Sequence, residues 1–302
     1  MRELLLFLVL AVSGAFASDF ALTGRTAATF PPYSSIGELR DFMSEQEYRA
    51  TIEHLQKTAT VERVLYRHDG VTVSAYVATP KGKSAKLPVI VFNRGSYIVK
   101  QPLPIIAREL EAYSKAGYLV IAPTLRGSDG TDGKDELGGG DFDDLAAAVN
   151  NVVQFGPADA TRIYMAGESR GGIMTYFAIA RGLPVRAAAV WGAITDMQEY
   201  LARVDKEGKL AHTVWPEFDQ RQDEILRTRS AIQWPDKLKV PLLIMHGGAD
   251  PIVPATHSLR LAGDLQQRGV EYQLVIYAGD RHVLDKNRVR RDDEVLLWFG
   301  SH

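Results

Sequence analysis

"YMAGESRGGIMTY", residues 164–176, sets a serine between two glycines and follows it with an arginine and two more glycines. Upstream, "TRIYMAG" (161–167) reads as a short strand; downstream, "GGIMTYFAIARG" (171–182) has the length and composition of a helix. Gly167-Glu168-Ser169-Arg170-Gly171 is therefore a G-x-S-x-G pattern at a strand-to-helix turn. A serine displayed on such a turn needs glycine two residues to either side, because side chains there would strike the neighbouring strand and helix and block a substrate's approach. The five letters recur by chance; their place at this junction gives them meaning.

Outward from the turn, short β-rich runs alternate with helix-length stretches. "VERVLYRH" (61–68) and "VTVSAYVAT" (71–79) flank the hairpin signal Asp69-Gly70. "LPVIVFN" (87–93), "GYLVIAP" (117–123), "RAAAVWG" (186–192), "VPLLIMHG" (240–247) and "EYQLVIYAG" (271–279) are nearly continuous apolar runs, as in strands buried on both faces. Helices are expected over 103–116, 141–155, 171–182, 255–268 and 287–299. In the second of these Asp141 is a cap, and Phe142, Leu145, Val149 and Val152 recur on one face. The alternation predicts an α/β, mostly parallel, doubly wound sheet of about eight strands. Charged helical sequence at 197–235 interrupts it where such folds insert a lid, and Tyr200, Trp215 and Phe218 within it suggest an apolar pocket for a modest acyl group.

The two ends read differently. Residues 1–17 combine Arg2, an apolar run from Leu4 to Val12 and the small-x-small Ala15-Phe16-Ala17, the pattern of a cleaved export signal. Residues 18–58 read as a helical lead-in, and 59–302 as the catalytic domain. With no cysteine there is no disulfide framework and no thiol nucleophile. A net charge of −2 leaves no footprint for nucleic acid. A secreted or periplasmic protein without a membrane anchor after cleavage is expected.

A serine nucleophile needs a base, and the base an orienting acid. "LLIMHGGADPIV" (242–253) presents Asp250, 81 residues after Ser169, and "VIYAGDRHVL" (275–284) presents His282, 32 residues further on. Serine, acid and histidine in that order, each after a strand, is the α/β-hydrolase arrangement. Asp196 is a rival acid, and Asp280 reads as a solvated loop residue. His246 reads as a packed structural residue; His54, His68, His212, His257 and His302 read as surface residues. The acidic, glycine-rich run "GSDGTDGKDELGGGD" (127–141) lacks the spacing of a calcium loop and is expected to be a flexible active-site loop. No metal and no cofactor is expected.

"VIVFNRGSY" (89–97), "APTLRGSDG" (122–130), "AGESRGG" (166–172) and the pair "MHGGADPIVP" (245–254) and "AGDRHVL" (278–284) together give residues 60–300 a resemblance to the catalytic domain of the prolyl oligopeptidase family of serine hydrolases. The resemblance implies a Ser169–Asp250–His282 triad. An oxyanion hole would use the Arg170 N–H together with the Asn93 side chain or the Arg94 N–H, Asn93 standing where relatives carry histidine or tyrosine. The Arg170 side chain is expected either to recognise a carboxylate or to pair with an acid such as Glu168, and Arg126 to act as a clamp or a substrate contact. The activity implied is acyl-enzyme hydrolysis of short peptide or aminoacyl amide bonds. A carboxylesterase for small acyl esters uses the same chemistry, and a binding protein on a hydrolase fold is the non-enzymatic alternative. The family's usual N-terminal β-propeller has no counterpart in residues 18–58.

Overall fold

A computed structural model describes residues 20–37, 43–83, 85–97 and 100–302; the expected export signal lies outside them. Among the described residues the strands are β1 (Ala21–Ala27), β2 (Ala59–His68), β3 (Val71–Pro80), β4 (Leu87–Asn93), β5 (Leu119–Pro123), β6 (Ala158–Glu168), β7 (Ala187–Trp191), β8 (Leu242–Gly247) and β9 (Tyr272–Tyr277). They form one sheet in the order β1-β2-β3-β5-β4-β6-β7-β8-β9. The first four in that order pair antiparallel, and every pairing from β5 to β9 is parallel. The helices are α1 (Glu45–Thr58), α2 (Pro102–Lys115), α3 (Gly140–Asn150), α4 (Arg170–Ala180), α5 (Met197–Val204), α6 (Lys209–Val214), α7 (Phe218–Thr228), α8 (Thr256–Gln267) and α9 (Arg288–Ser301).

The central strands carry apolar side chains on both faces because helices cover both. Val89 and Val91 of β4 face one core with Phe142 of α3 and Ile173 of α4, while Ile90 and Phe92 face the other with Leu110 of α2 and Phe299 of α9. The same division separates Val190 from Trp191 in β7. Trp191 is fully buried and stacks on Phe92 at 5.9 Å between ring centres. Helices α5, α6 and α7 occupy the insertion between β7 and β8.

Two expectations for the chain's architecture need correction. The lead-in at 18–58 is not wholly helical: Ala21–Ala27 is strand β1, a ninth strand at the sheet edge beyond β2. Its residues alternate only between partial and full exposure, so no apolar period marks it. Side-chain contacts hold it instead, Arg25 reaching Glu62 of β2 at 2.6 Å and the carbonyl of Phe155, in the segment before β6, at 2.9 Å. The helical expectation does hold for α1, which starts with a capping box between Ser44 and Glu47 and buries Tyr48 and Leu55.

The second correction concerns residues 127–141, where Asp129, Asp135, Glu136 and Asp141 are engaged internally. Asp129 accepts from Arg63 at 2.6 Å, Ser74 at 2.7 Å and Tyr76 at 3.1 Å. Asp141 gathers the N–H groups of Glu136, Gly138 and Gly139 at the start of α3. The three consecutive glycines make room for packing: a Cβ on Gly138 would fall 2.0 Å from the Phe177 ring, and one on Gly140 2.2 Å from Arg126. Arg126 is a structural clamp, donating in bidentate fashion to the buried Asp144 at 2.6 and 2.7 Å. Arg126→Ala leaves that carboxylate buried without its partner. It is expected to cost about 3 kcal/mol of stability, read as a lower urea midpoint at unchanged slope; an unchanged midpoint would show the pair to be dispensable.

Candidate active site

The turn at the carboxyl end of β6 is strained in the way its sequence requires. Ser169 has φ of 51° and ψ of −115°, a left-handed backbone that non-glycine residues avoid, and it precedes the first residue of α4. Its N–H donates to the carbonyl of Trp191 at 2.9 Å, fastening the turn to β7. A Cβ on Gly171 would sit 1.9 Å from the carbonyl oxygen of Asn93, and one on Gly167 2.4 Å from Thr175 Oγ1. These glycines let α4 approach β4 and β6 closely enough to leave Ser169 at the sheet's carboxyl edge.

Three elements converge on that edge. Ser169 Oγ lies 2.8 Å from His282 Nε2, and His282 Nδ1 lies 2.7 Å from Asp250 Oδ2. Asp250 sits on the turn after β8, where its Oδ1 accepts from the N–H groups of Ile252 at 2.8 Å and Val253 at 2.9 Å. Burial works to raise the Asp250 pKa, but bonds from His246, His282 and the Val253 N–H outweigh it, holding the carboxyl well below its ordinary value. His282 follows β9 and packs against the positive-φ Gly192, where a Cβ would come within 2.7 Å of the His282 carbonyl.

The rival acids have other work. Asp196 caps α5 through the Glu199 N–H at 3.1 Å and pairs with Arg260 at 2.9 Å. Asp280, expected in solvent, is fully buried and accepts from the Arg281 N–H at 2.8 Å and Asn287 Nδ2 at 2.9 Å. It organises the turn that presents His282. Of the histidines expected at the surface, His257 lies inside, and His246 is packed as expected. His257 is buried, its Nδ1 accepting from the Thr195 N–H at 3.2 Å. His68 lies 3.5 Å from Asp144, and His54 pairs with Glu111. His212 and His302 reach Asp219 and Glu271. His246 is fully buried, Nδ1 at 2.7 Å from Ser258 Oγ and Nε2 at 2.8 Å from the Val253 carbonyl.

The Arg170 N–H begins α4 beside the nucleophile, where the helix N-terminus favours negative charge. The Asn93 side chain is buried and turned toward α4, one hydrogen of its amide donating to Thr175 Oγ1 at 3.0 Å. In the loop after β4, Gly95 lies against the Ser169 turn: a Cβ there would lie 3.5 Å from Ser169 Cβ and 2.7 Å from Glu168 Oε1. The sequence signal for Gly95 was only a glycine among polar residues. Arg94 turns its side chain inward, donating to the carbonyls of Gly95 at 2.8 Å and Thr124 at 2.9 Å and to Ser128 Oγ at 2.8 Å. Burial and the neighbouring Arg170 bring the Arg94 pKa down to about 9.

The Arg170 side chain follows the ion-pair expectation, with acids other than Glu168. It pairs with Asp135 at 2.5 Å and Asp141 at 2.6 Å, not with Glu168. Burial opposes its charge, yet the two carboxylates prevail and raise its pKa. Glu168 instead accepts from Trp191 Nε1 at 2.9 Å. The insertion's aromatics are also spent on packing: Trp215 and Phe218 are buried and stacked at 6.0 Å, and Trp215 Nε1 donates to the Glu136 carbonyl at 2.9 Å. Among the described residues no group of three or more His, Asp or Glu is placed to hold a metal ion.

A serine, a histidine and an aspartate joined by two short hydrogen bonds at the carboxyl edge of this sheet define an α/β-hydrolase. The sequence profile of the prolyl oligopeptidase family matches residues 106–302, and the chain belongs to that family. It is 28% identical over 240 residues to acylamino-acid-releasing enzyme 1 of Oryza sativa subsp. japonica, covering 72% of this chain and 30% of that protein. The uncharacterized peptidase YtmA of Bacillus subtilis (strain 168) is 25% identical over 230 residues, covering 76% of this chain and 88% of its own. Among solved structures, Pyrococcus horikoshii acylaminoacyl peptidase superposes with a TM-score of 0.68 at 21% identity, covering 84% of this chain and 43% of that one. The chain thus spans about a third of the length of the plant enzyme and most of the length of YtmA.

Gly171→Ala forces apart the loop after β4 and the start of α4. Labelling of the site by a fluorophosphonate probe is expected to slow at least a hundredfold, whereas Gly263→Ala on α8, whose Cβ meets nothing within 4 Å, leaves it unchanged. Equal labelling of both variants would contradict the close-approach role of Gly171.

Proposed function

We propose that this chain is a serine hydrolase that cleaves short peptide or aminoacyl amide bonds through an acyl-enzyme. The observation that carries the reading is the continuous Ser169 Oγ, His282 Nε2, His282 Nδ1, Asp250 Oδ2 relay, with separations of 2.8 and 2.7 Å. Ser169 Oγ attacks the substrate carbonyl as His282 Nε2 takes its proton, forming the C–O bond of a tetrahedral adduct. The oxyanion is met by the Arg170 N–H and by a backbone N–H of the Arg94–Gly95 loop, each worth about 3 kcal/mol in the transition state. His282 returns the proton to the departing amine as the C–N bond breaks. Water then repeats the sequence to release the acid and restore Ser169. Asp250 holds the Nδ1–H tautomer and stabilises the imidazolium that forms at each stage.

Membership of the prolyl oligopeptidase family favours an amide substrate. Ester hydrolysis runs through the same acyl-enzyme, so a carboxylesterase is the alternative to test. Matched aminoacyl 4-nitroanilides and 4-nitrophenyl acyl esters are compared by kcat/KM, with Ser169→Ala as blank. Anilide cleavage with a preference for one residue beside the scissile bond is expected, and Ser169→Ala should lose at least a thousandfold. Ester turnover with no anilide cleavage across a broad panel would replace the peptidase reading by an esterase.

Export to the periplasm or beyond is part of the same proposal, supported by the pattern of residues 1–17. Amino-terminal sequencing of the protein made in a bacterial host that exports it should begin near Ser18. Full-length protein retaining Arg2 in the soluble cytoplasm would overturn that part.

A further inference from the structure

Asp250 is approached by two imidazoles, and proton transfer from Ser169 accounts for one of them. His246 stands in β8, fully buried, with Nε2 2.8 Å from the Val253 carbonyl and 3.2 Å from Asp250 Oδ2. A carbonyl and a carboxylate only accept, so Nε2 carries a hydrogen directed between them, with the shorter bond to Val253. Nδ1 is 2.7 Å from Ser258 Oγ on α8, so both ring nitrogens are engaged and the ring orientation is fixed. The carboxylate is therefore held at four points. Oδ1 takes the N–H groups of Ile252 and Val253, and Oδ2 takes His282 Nδ1 and the side of the His246 N–H.

We infer that His246 is a positioning residue of the triad, fixing the 250–253 turn and sharing the Asp250 oxygen that binds His282. The inference rests on the hydrolase reading above. Two donors on one oxygen divide its charge, so His246 limits how strongly Asp250 stabilises a protonated His282. Without His246 the oxygen serves His282 alone and stabilises the protonated ring more strongly. A less constrained carboxylate also costs orientation of the base.

The other ionisable groups around the pair bond elsewhere. His257 on α8 accepts from Thr195 at 3.2 Å, with Glu199 of α5 at 3.8 Å from its other nitrogen. Asp280, on the turn that carries His282, takes Asn287 at 2.9 Å, and Arg281 beside it is exposed. Arg203 of α5 donates to the Pro251 carbonyl at 3.1 Å.

The test compares His246→Asn with His246→Gln in the full chain. Asparagine keeps an amide near Ser258 but falls short of Asp250, whereas glutamine returns an N–H to the place of Nε2. The readouts are kcat and KM on a 4-nitrophenyl ester, and the pH dependence of fluorophosphonate labelling of Ser169, whose midpoint does not depend on the fraction folded. The asparagine variant is expected to lose about tenfold in kcat with KM unchanged and to move the acid-side midpoint up by about half a pH unit. The glutamine variant should return both toward wild type. Should the asparagine variant fail to fold, His246→Phe serves with the same readouts. A folded variant with the wild-type midpoint, or a midpoint shift that glutamine leaves uncorrected, overturns the inference. Wild-type protein that resists the probe at every pH would instead overturn the hydrolase reading.

Discussion

The arrangement depends on one backbone contortion, the left-handed Ser169 at the end of β6. An L-residue in that region of backbone space costs on the order of 1–3 kcal/mol, so the surroundings must hold it there. They do so from three sides. β7 takes its N–H, Gly171 lets α4 press against the carbonyl of Asn93, and Gly172 lets the same helix approach Ala193, whose Cβ would stand 2.3 Å from a Cβ on that glycine. A relaxed turn would withdraw the hydroxyl from His282 and misdirect the Arg170 N–H together, because both leave the same two residues.

Around that point the sheet distributes tasks by strand. β4 leads into the Asn93–Gly95 loop, β6 into Ser169, β8 into the turn with Asp250, and β9 into the turn with His282, all at carboxyl ends of parallel strands. Charge is handled differently on the two sides of the nucleophile. Arg170 is neutralised in place by Asp135 and Asp141, while the triad acid is stabilised by hydrogen bonds from backbone and imidazole. Fixed dipoles and paired ions need little rearrangement when charge develops on the substrate, which is where such sites gain most of their effect.

Much of this was legible in the sequence where burial imposes a period or a motif imposes a turn. The strands from β2 onward are apolar on one or both faces, and the chain order of Ser169, Asp250 and His282 follows from the sheet's connectivity. Strand β1 left no such trace, since an edge strand with no fully buried position selects neither a strong alternation nor β-branched side chains. Nor did sequence spacing say which acids Arg170 would meet: Asp135 and Asp141 lie 35 and 29 residues away and arrive through the fold of one loop. The burial of Asp280 and His257 is hidden for the same reason, a polar letter in a loop or helix giving no sign of whether backbone N–H groups await it inside.

The insertion between β7 and β8 grips the site at two places. Trp215 and Arg229 both donate to the carbonyl of Glu136, the residue after Asp135, and Arg203 donates to the carbonyl of Pro251, the residue after Asp250. One insertion thus bears on Asp135, which anchors Arg170, and on Asp250, which is hydrogen-bonded to His282. To swing it away as a free flap would pull on both sides of the reaction centre at once.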